Sequence, residues 1–228
     1  VAHLYEDIKM PPPELSDPKI FENHPAFLKT PMNRIRYFWR WDTEEKYQIN
    51  IKAYLRMISG YDNVMQRVLD ALKEKGLDKN TIIIYSADNG YYMGNRGFAG
   101  KWSHYEESLR VPLIINDPRI QSEEHSITSD KIALNIDIPA TILDYAGVSV
   151  PEIYQGRSLV PLVKNETDIN WRQQFFCEHR MENENIPKYF GIHDERYVYV
   201  NYYEQNPPYE FLHDLKNDRN ELKNLVNE

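Results

Sequence analysis

The sequence has 228 residues, of which 41% are hydrophobic, and it carries a formal net charge of -8. This length and this apolar fraction allow one large domain, or a domain with a small appendage, around a sizeable core. The acidic balance provides no basic surface field and argues against a nucleic-acid partner. The single cysteine, Cys177, excludes an internal disulfide framework, and no apolar run approaches the length of a membrane span.

The first 42 residues are rich in proline, and prolines at this spacing are incompatible with long helices. Near the end of this segment, arginines and aromatic residues cluster: Arg34, Arg36, Tyr37, Phe38, Trp39, Arg40 and Trp41. One interpretation is a loop that lies on the surface and is anchored to the core by its aromatic rings. The other is a substrate-facing wall, since these side chains suit sugars and sulfate or phosphate groups. Both interpretations stay open at this point.

A long amphipathic helix is predicted next. The segment from Asp42 to Glu45 supplies a capping residue and acidic side chains for its first turn. Apolar residues then recur at steps of three and four, which predicts one apolar face. These residues are Tyr54, Met57, Ile58, Tyr61, Val64, Met65, Val68, Leu69 and Leu72. Gly76 is placed to end the helix.

Two short apolar runs indicate neighbouring strands. The run from Ile82 to Tyr85 has the composition of a strand that is buried on both faces, and Val111 to Ile115 is the second run. Because a helix leads into the first strand, as in a βαβ unit, we expect a mainly parallel sheet. Ligands of open α/β sheets bind where the carboxyl ends of strands run into loops, so the chemistry is expected just after Tyr85.

The loop after this strand begins with Asp88-Asn89-Gly90. Such a tripeptide is usually only a turn, but its oxygens also suit Ca²⁺ or Mg²⁺, for which two ligands are too few. Lys101 lies in a glycine-flanked segment and is either a solvated surface lysine or an anion ligand. His104 either hydrogen-bonds a substrate or caps a loop, and we include it among the candidate substrate-binding residues.

The pattern of apolar and turn residues changes after about residue 170. Before that point, Ile136 to Tyr145 is predicted to form a helix that ends at Gly147. After it, four strand-like runs are separated by turn residues, which is typical of an antiparallel sheet, and a polar helix is predicted from Asn217 to Val226. We therefore predict two units: residues 1–170 with a mainly parallel α/β sheet, and residues 171–228 as a small antiparallel subdomain with a terminal helix.

A nucleophile is not evident in these residues. Cys177 lies inside a predicted strand, and a buried cysteine is more often inert than reactive. The sequence also contains no Walker loop, no His-Glu-x-x-His helix and no Gly-x-Ser-x-Gly elbow.

The run GLDKNTIIIYSADNGYYMGNRGFAGKWSHYEESLRVPLII resembles the second signature region of the formylglycine-dependent (type I) sulfatases, of the alkaline-phosphatase superfamily. Three further segments match in the same order: NIDIPATILDYAGVSVP, QGRSLVPLV and YEFLHDLKNDRNELKNL. Together they cover most of the chain from about Tyr47 onward. The resemblance implies a partial alkaline-phosphatase-like sandwich, and a sulfuric ester hydrolase that acts on the sulfate ester of a carbohydrate in the intact protein.

The resemblance also implies roles for three residues. In that family an Asp-Asn pair after the strand completes a Ca²⁺ site that is begun by two upstream aspartates, and Asp88 and Asn89 match the pair. A lysine in the following Gly-Lys segment binds the sulfate oxygens, and Lys101 matches it. We therefore expect Ca²⁺ at Asp88 and Asn89 in the intact enzyme, with Lys101 as the catalytic and substrate-binding residue.

The nucleophile of that family is a formylglycine made from Cys or Ser in a Cys/Ser-x-Pro-x-Arg motif. The 228 residues lack this motif, and the nearest approach, Ser16 to Ile20, fails at the Arg position. We therefore expect the chain to be the C-terminal portion of a sulfatase, inactive by itself, with the formylglycine upstream of Val1.

Two alternatives stay open. One is a phosphoryl hydrolase of the same superfamily, which would use two transition metals and supply His ligands near the Asp. The other is a non-catalytic remnant that binds carbohydrate. The expected partner is a sulfated small molecule or saccharide, and apolar surface around the two strands would favour self-association of the chain. A periplasmic or secreted location is suggested by the resemblance alone.

Overall fold

The computed structural model describes residues 1–120, 127–167 and 169–228. Within these ranges the helices are α1 (Pro18–Glu22), α2 (Ala26–Lys29), α3 (Met32–Arg40), α4 (Glu44–Glu74), α5 (Glu106–Leu109), α6 (Asp137–Tyr145) and α7 (Val160–Val163). The strands are β1 (Ile83–Ser86), β2 (Tyr92–Met93), β3 (Ala99–Gly100), β4 (Leu113–Asn116), β5 (Gln174–His179), β6 (Tyr189–Asp194), β7 (Tyr197–Tyr202) and β8 (Tyr209–Asp214).

The proline-rich segment contains only short helices, as its composition predicts. The cluster of arginines and aromatic residues does not lie on a loop, however, because it forms most of α3. Pro31 takes the capping position of this helix with an extended backbone, and no proline follows until after β1. Once proline is excluded from the interior, arginine and the aromatic residues are acceptable helix formers, so the chain continues for nine residues.

The long predicted helix is confirmed as α4. The Thr43 hydroxyl accepts a hydrogen bond from the Lys46 N–H at 3.2 Å, and Gly76 follows the helix with a φ of +65°. Several apolar residues of its predicted core face are exposed, among them Met57 (66%), Val64 (49%) and Val68 (47%). Other residues of this face, among them Met65 and Leu72, are half-buried, and the Tyr61 ring lies 5.9 Å from the Tyr85 ring of β1. None of the described helices is both long and apolar enough to cross a bilayer.

The mainly parallel sheet is not found among the described residues. β1 pairs with β4 in the antiparallel direction, with Ile84 opposite Ile115, and together they form a two-stranded sheet. A parallel pair needs a crossover connection of a dozen or more residues, usually a helix, and the longest helix within residues 87–112 is the four-residue α5. The two strands are also half-buried rather than buried on both faces, and Ile114 is 61% exposed.

The predicted antiparallel sheet is confirmed, with the strand order β5-β6-β7-β8. Its inner face contributes to one apolar core that also draws on residues from the first half of the chain, so this core crosses the boundary predicted near residue 170. The buried residues of this core are Leu28, Tyr92, Phe98, Tyr105, Tyr189, Val198, Val200, Tyr202 and Phe211.

The polar helix predicted from Asn217 to Val226 is not formed. In this segment the Asn224 side chain accepts a hydrogen bond from the Leu212 N–H at 3.0 Å, and the Leu225 N–H donates to the Leu212 carbonyl at 2.8 Å. The segment therefore runs beside β8. An asparagine side chain that satisfies backbone groups in this way competes with the hydrogen bonds of a helix.

Gly156 marks a close approach of two backbone segments. A Cβ atom at this position would overlap the Ile136 carbonyl just before α6. In the same region the buried Asp137 carboxylate accepts hydrogen bonds from the Leu134 N–H and the Arg157 N–H, each at 2.8 Å, and pairs with Arg172. The glycine and the carboxylate together fix the loop from Gly156 against α6.

We predict that Gly156→Ala lowers the free energy of unfolding by about 2 kcal/mol or more, because the backbone must move to admit the methyl group. Gly60→Ala is the matched control, since a Cβ there meets nothing within 4 Å inside α4 and should raise stability by about 0.5–1 kcal/mol. Urea unfolding of the two variants checks this, and equal effects would contradict the proposed overlap.

Candidate functional site

Two of the predicted site residues meet after β1. The strand ends at Ser86, and Asn89 lies three residues further on. The Lys101 ammonium donates a hydrogen bond to Oδ1 of Asn89, so these side chains converge although they are distant in sequence. Asp88 lies beside them with an exposed side chain, and its carbonyl accepts a hydrogen bond from the Asn135 amide at 3.2 Å.

Gly90 fixes the loop that carries Asn89. Its N–H donates to the Ser108 carbonyl at 2.9 Å, and a Cβ atom here would overlap the Glu107 carbonyl. Only glycine allows the two backbones to approach this closely. The glycine of the Asp-Asn-Gly tripeptide is therefore needed for packing, whatever its neighbours bind.

Lys101 follows a short hairpin in which β2 and β3 pair, with Tyr92 opposite Gly100. The next residue, Trp102, has a φ of +84°, in the left-handed region that side chains other than glycine rarely adopt. Its N–H donates to the Ser108 hydroxyl at 3.1 Å. Ser108 is buried, and it binds the Trp102 segment through its hydroxyl and Gly90 through its carbonyl. One residue thus holds both halves of the site.

Asn33 holds Lys101 from the other side. Its buried side-chain amide donates to the carbonyls of Ala99, at 3.3 Å, and Lys101. Sequence reasoning assigned no role to Asn33 or Ser108, because neither belongs to a motif and both act through backbone groups of distant segments. The proline before α3 is the only local signal near Asn33, and it indicates where a helix begins without indicating what the helix contacts.

His104 does not join this site, which corrects its assignment as a substrate-binding residue. It is fully buried, and its Nδ1 accepts a hydrogen bond from the Tyr202 hydroxyl at 2.9 Å. His213 donates its Nδ1–H to the Lys223 carbonyl at 2.9 Å, so its Nε2 accepts from His104 Nε2–H at 3.4 Å. Both ring nitrogens of His104 are therefore engaged inside the core. Burial, and then the nearby His213, hold the pKa of His104 well below its usual range.

Arg96, which lies between β2 and β3, is also structural. Its Nε donates to the Glu107 carboxylate at 2.9 Å, its Nη2 donates to the Asn220 carbonyl at 2.7 Å, and its guanidinium lies over the Tyr105 ring. Only 2% of the residue is exposed. This arginine is satisfied inside the protein and cannot serve as an anion ligand.

The donor chemistry of Asp88 and Asn89 fits a hard cation such as Ca²⁺, but their number does not complete a site. Ca²⁺ takes six to eight oxygen ligands. Within the described ranges no cluster of three or more His, Cys, Asp or Glu residues could hold a metal ion. Any cation at Asn89 would share Oδ1, which has two lone pairs, with the Lys101 ammonium.

Two family models match the chain. The model described as "Sulfatase" matches residues 21–148, and the model described as "N-sulphoglucosamine sulphohydrolase, C-terminal" matches residues 94–228. The chain belongs to the sulfatase family. The resemblance inferred from the sequence is confirmed, and with it the alkaline-phosphatase superfamily and the formylglycine-dependent type that this family implies.

Curated relatives agree with this membership. The chain is 34% identical over 185 residues to an N-acetylglucosamine-6-O-sulfatase of Bacteroides thetaiotaomicron, an alignment that covers 79% of the chain and 32% of the relative. It is 32% identical over 177 residues to an arylsulfatase of Clostridium perfringens, covering 77% of the chain and 35% of that relative. The chain thus spans about a third of the length of these sulfatases.

Solved structures confirm the fold class. A 2-O glycosaminoglycan sulfatase superposes with a TM-score of 0.81 at 27% identity, over 96% of this chain and 48% of that one. A protein solved in complex with its substrate, D-glucosamine-2-N,6-O-disulfate, superposes with a TM-score of 0.75 at 32% identity, over 81% of this chain and 38% of that one. A phosphonate monoester hydrolase from Silicibacter pomeroyi superposes with a TM-score of 0.72 at 27% identity, over 82% of this chain and 38% of that one. The superfamily architecture is therefore shared by sulfatases and phosphonate hydrolases.

We predict that Ser108→Ala lowers the free energy of unfolding by about 1 kcal/mol, because the half-buried Trp102 N–H loses its acceptor. The matched control is Ser129→Ala, whose hydroxyl also accepts a backbone hydrogen bond, from Lys131, but on the surface. Loss of this exposed hydrogen bond should lower the free energy of unfolding by only a few tenths of a kcal/mol, since water can take the place of the Ser129 hydroxyl. Urea unfolding compares the two, and an equal loss in both would count against the role of Ser108.

We predict that the protein loses stability in acid because two of its buried histidines are neutral in the folded state. Burial is the main cause that lowers the pKa of His24 and of His193 to about 4, from the usual 6.5. Between these values the unfolded chain binds protons that the folded chain does not, so their stabilisation is present above pH 6.5 and is lost as the pH falls towards 4. His193→Phe, which cannot be protonated, should lose less stability than the wild type between pH 8 and pH 5. Urea unfolding at both pH values measures this, and an unchanged pH dependence would show that His193 does not contribute.

Proposed function

We propose that the complete protein is a carbohydrate sulfatase, in which Lys101 binds the sulfate group of the substrate and Asn89 orients Lys101. The observation that supports this most directly is the hydrogen bond from the Lys101 ammonium to Asn89 at the carboxyl end of β1. Asn89 follows β1 and Lys101 follows β3, so both side chains lie in loops that leave the ends of short strands. The N-acetylglucosamine-6-O-sulfatase relative supports a sugar sulfate as the substrate class.

The chemistry that Lys101 can perform follows from its charge. Hydrolysis of a sulfate ester adds water, breaks the bond between sulfur and the ester oxygen, and releases an alcohol and sulfate. Negative charge on the sulfate oxygens must be opposed while this happens, and a fixed ammonium does so without reorganisation. Asn89 accepts a hydrogen bond from this ammonium and thereby limits its position.

The remaining parts of the catalytic centre are not complete in these residues. We propose that Asp88 and Asn89 contribute oxygen ligands to Ca²⁺, with the other ligands supplied elsewhere in the complete protein. When bound, Ca²⁺ would add positive charge beside the sulfate, and a formylglycine would supply the attacking oxygen. Because the 228 residues carry no Cys/Ser-x-Pro-x-Arg motif, we expect the chain alone to hydrolyse no sulfate ester and to bind Ca²⁺ weakly.

The division into residues 1–170 and 171–228 stays a proposal as well. The change in sequence pattern after about residue 170 and the four-stranded sheet support it. In this arrangement the first unit carries Asp88, Asn89 and Lys101, and the second packs against it through the common core.

The second candidate function is a phosphoryl or phosphonate hydrolase, which the likeness to a phosphonate monoester hydrolase favours. The site geometry counts against it, because His104 is engaged in the core and is not available beside Asp88 as a metal ligand. A non-catalytic carbohydrate-binding protein is the third possibility. Assay of the complete protein with matched sulfate and phosphate monoesters of one alcohol distinguishes these functions.

We predict that Lys101→Ala in the complete protein lowers kcat/KM for a sulfated sugar by about 10²–10³-fold, because one charge that stabilises the transition state is removed. The free energy of unfolding should change by less than about 1 kcal/mol, since among the described residues the Lys101 ammonium forms a hydrogen bond with the Asn89 side chain only.

Lys79→Ala is the matched control for this experiment. Lys79 is an exposed lysine in the turn before β1, and its removal should leave kcat/KM unchanged. Normal turnover in the Lys101 variant, or an equal loss in both variants, would refute the proposed role. Faster hydrolysis of the phosphate ester than of the sulfate ester would instead favour the second candidate function.

A further inference from the structure

Helix α3 brings a second positive charge to the segment of Lys101. Asn33 binds the backbone at Ala99 and Lys101, and Arg36 lies one turn further along the same helix. The Arg36 guanidinium lies over the Trp102 ring, with its Cζ 4.6 Å from the ring centroid. Arg36 is thus held against the residue that directly follows Lys101.

The charge of Arg36 has no acidic partner in the part of the chain that the structure describes. Its Nε is buried and makes no hydrogen bond, and no carboxylate among the described residues lies within ion-pair distance of its guanidinium. Its neighbour Arg34 differs, because Arg34 donates to the Gly97 carbonyl at 2.9 Å and lies over the Phe21 ring. A buried donor without an acceptor needs an explanation, and an anion bound beside the Trp102 ring would supply the acceptor for Arg36.

The loop is shaped around this stacked pair. Trp102 adopts a φ of +84°, which costs a residue with a side chain about 1 kcal/mol or more and persists only where the surroundings enforce it. Gly100 has a φ of +83°, and a Cβ there would come within 3.1 Å of the indole and 3.7 Å of the Arg36 side chain. The absence of a side chain at Gly100 leaves room for the pair.

We propose that Arg36, stacked on Trp102, forms a second anion-binding subsite, which recognises a further sulfate or carboxylate group on a saccharide whose scissile sulfate is bound by Lys101. This rests on the proposed function. An arginine stacked on an aromatic ring keeps its donors in a fixed plane that matches the paired oxygens of a sulfate or carboxylate. The subsite favours saccharides with two or more anionic groups over those with one.

The test compares three substrates in the complete protein: a glucosamine with two sulfate groups, a glucosamine with one, and an uncharged aryl alcohol esterified with sulfate. Arg36→Gln should lower kcat/KM for the disulfated sugar by about 10–100-fold, the effect of one lost hydrogen bond to a charged group. For the aryl sulfate the change should stay within about twofold. Arg36→Lys, which retains the charge but not the planar donors, should lie between Arg36→Gln and the wild type.

Arg180→Ala is the control variant, because Arg180 is an exposed arginine paired with Glu178 and should leave all three rates unchanged. An equal loss on all substrates, together with a lower Tm, would show that Arg36 is only structural, and unchanged rates would also overturn the subsite. If the wild type hydrolyses none of the three substrates, the proposed function fails, and calorimetry then decides the subsite separately. Weaker binding of the disulfated sugar to Arg36→Gln than to the wild type supports the subsite, and equal binding refutes it.

Discussion

The candidate site depends on Ser108, a buried residue that belongs to neither of the loops it joins. Its carbonyl accepts a hydrogen bond from Gly90, beside Asn89, and its hydroxyl accepts one from Trp102, beside Lys101. Both loops leave the ends of short strands and would otherwise be free to move separately. Because the two bonds share one residue, the amide of Asn89 and the ammonium of Lys101 are held within hydrogen-bonding distance of each other.

The core beneath these loops contains buried polar groups that form hydrogen bonds with one another. His104 bonds to Tyr202 and His213, and Arg96 bonds to Glu107 and the Asn220 carbonyl. Burial of such groups is tolerated only when their hydrogen bonds are made, because an unpaired buried charge is strongly destabilising. Glu221 shows the effect of incomplete pairing, since burial raises the pKa of its carboxyl to about 8 although Arg96 lies 3.7 Å away. These contacts join the C-terminal sheet to the segment that carries Lys101.

Another part of the surface is apolar. The apolar face of α4 and the outer residues of β4 are exposed in the part of the chain that the structure describes. The aligned part of the chain covers only about a third of each curated sulfatase that it matches. An apolar surface of this kind is what the core of a larger domain presents when only part of that domain is considered. This accounts for the two half-buried strands and for the partly exposed apolar face of α4.

The sequence by itself determined the elements that follow from local pattern. These are α4 with its cap and its terminal glycine, the strands β1 and β4 as apolar runs, the four strands of the C-terminal sheet, and the family, through motifs in a fixed order. Local composition carries these features because periodicity, capping and turn chemistry act over a few residues. The sequence also predicted Asp88, Asn89 and Lys101 as site residues, from their place in the loop after β1 and from the resemblance to sulfatases.

Only the tertiary structure decided which distant groups meet. The antiparallel pairing of β1 with β4 depends on the path of the connecting residues, and the burial of His104 depends on strands that follow it by almost a hundred residues. Ser108, Asn33 and the stacking of Arg36 on Trp102 were not predictable for the same reason. Contacts between segments that are remote in sequence leave no periodic signal, and their geometry is set by packing of the whole domain.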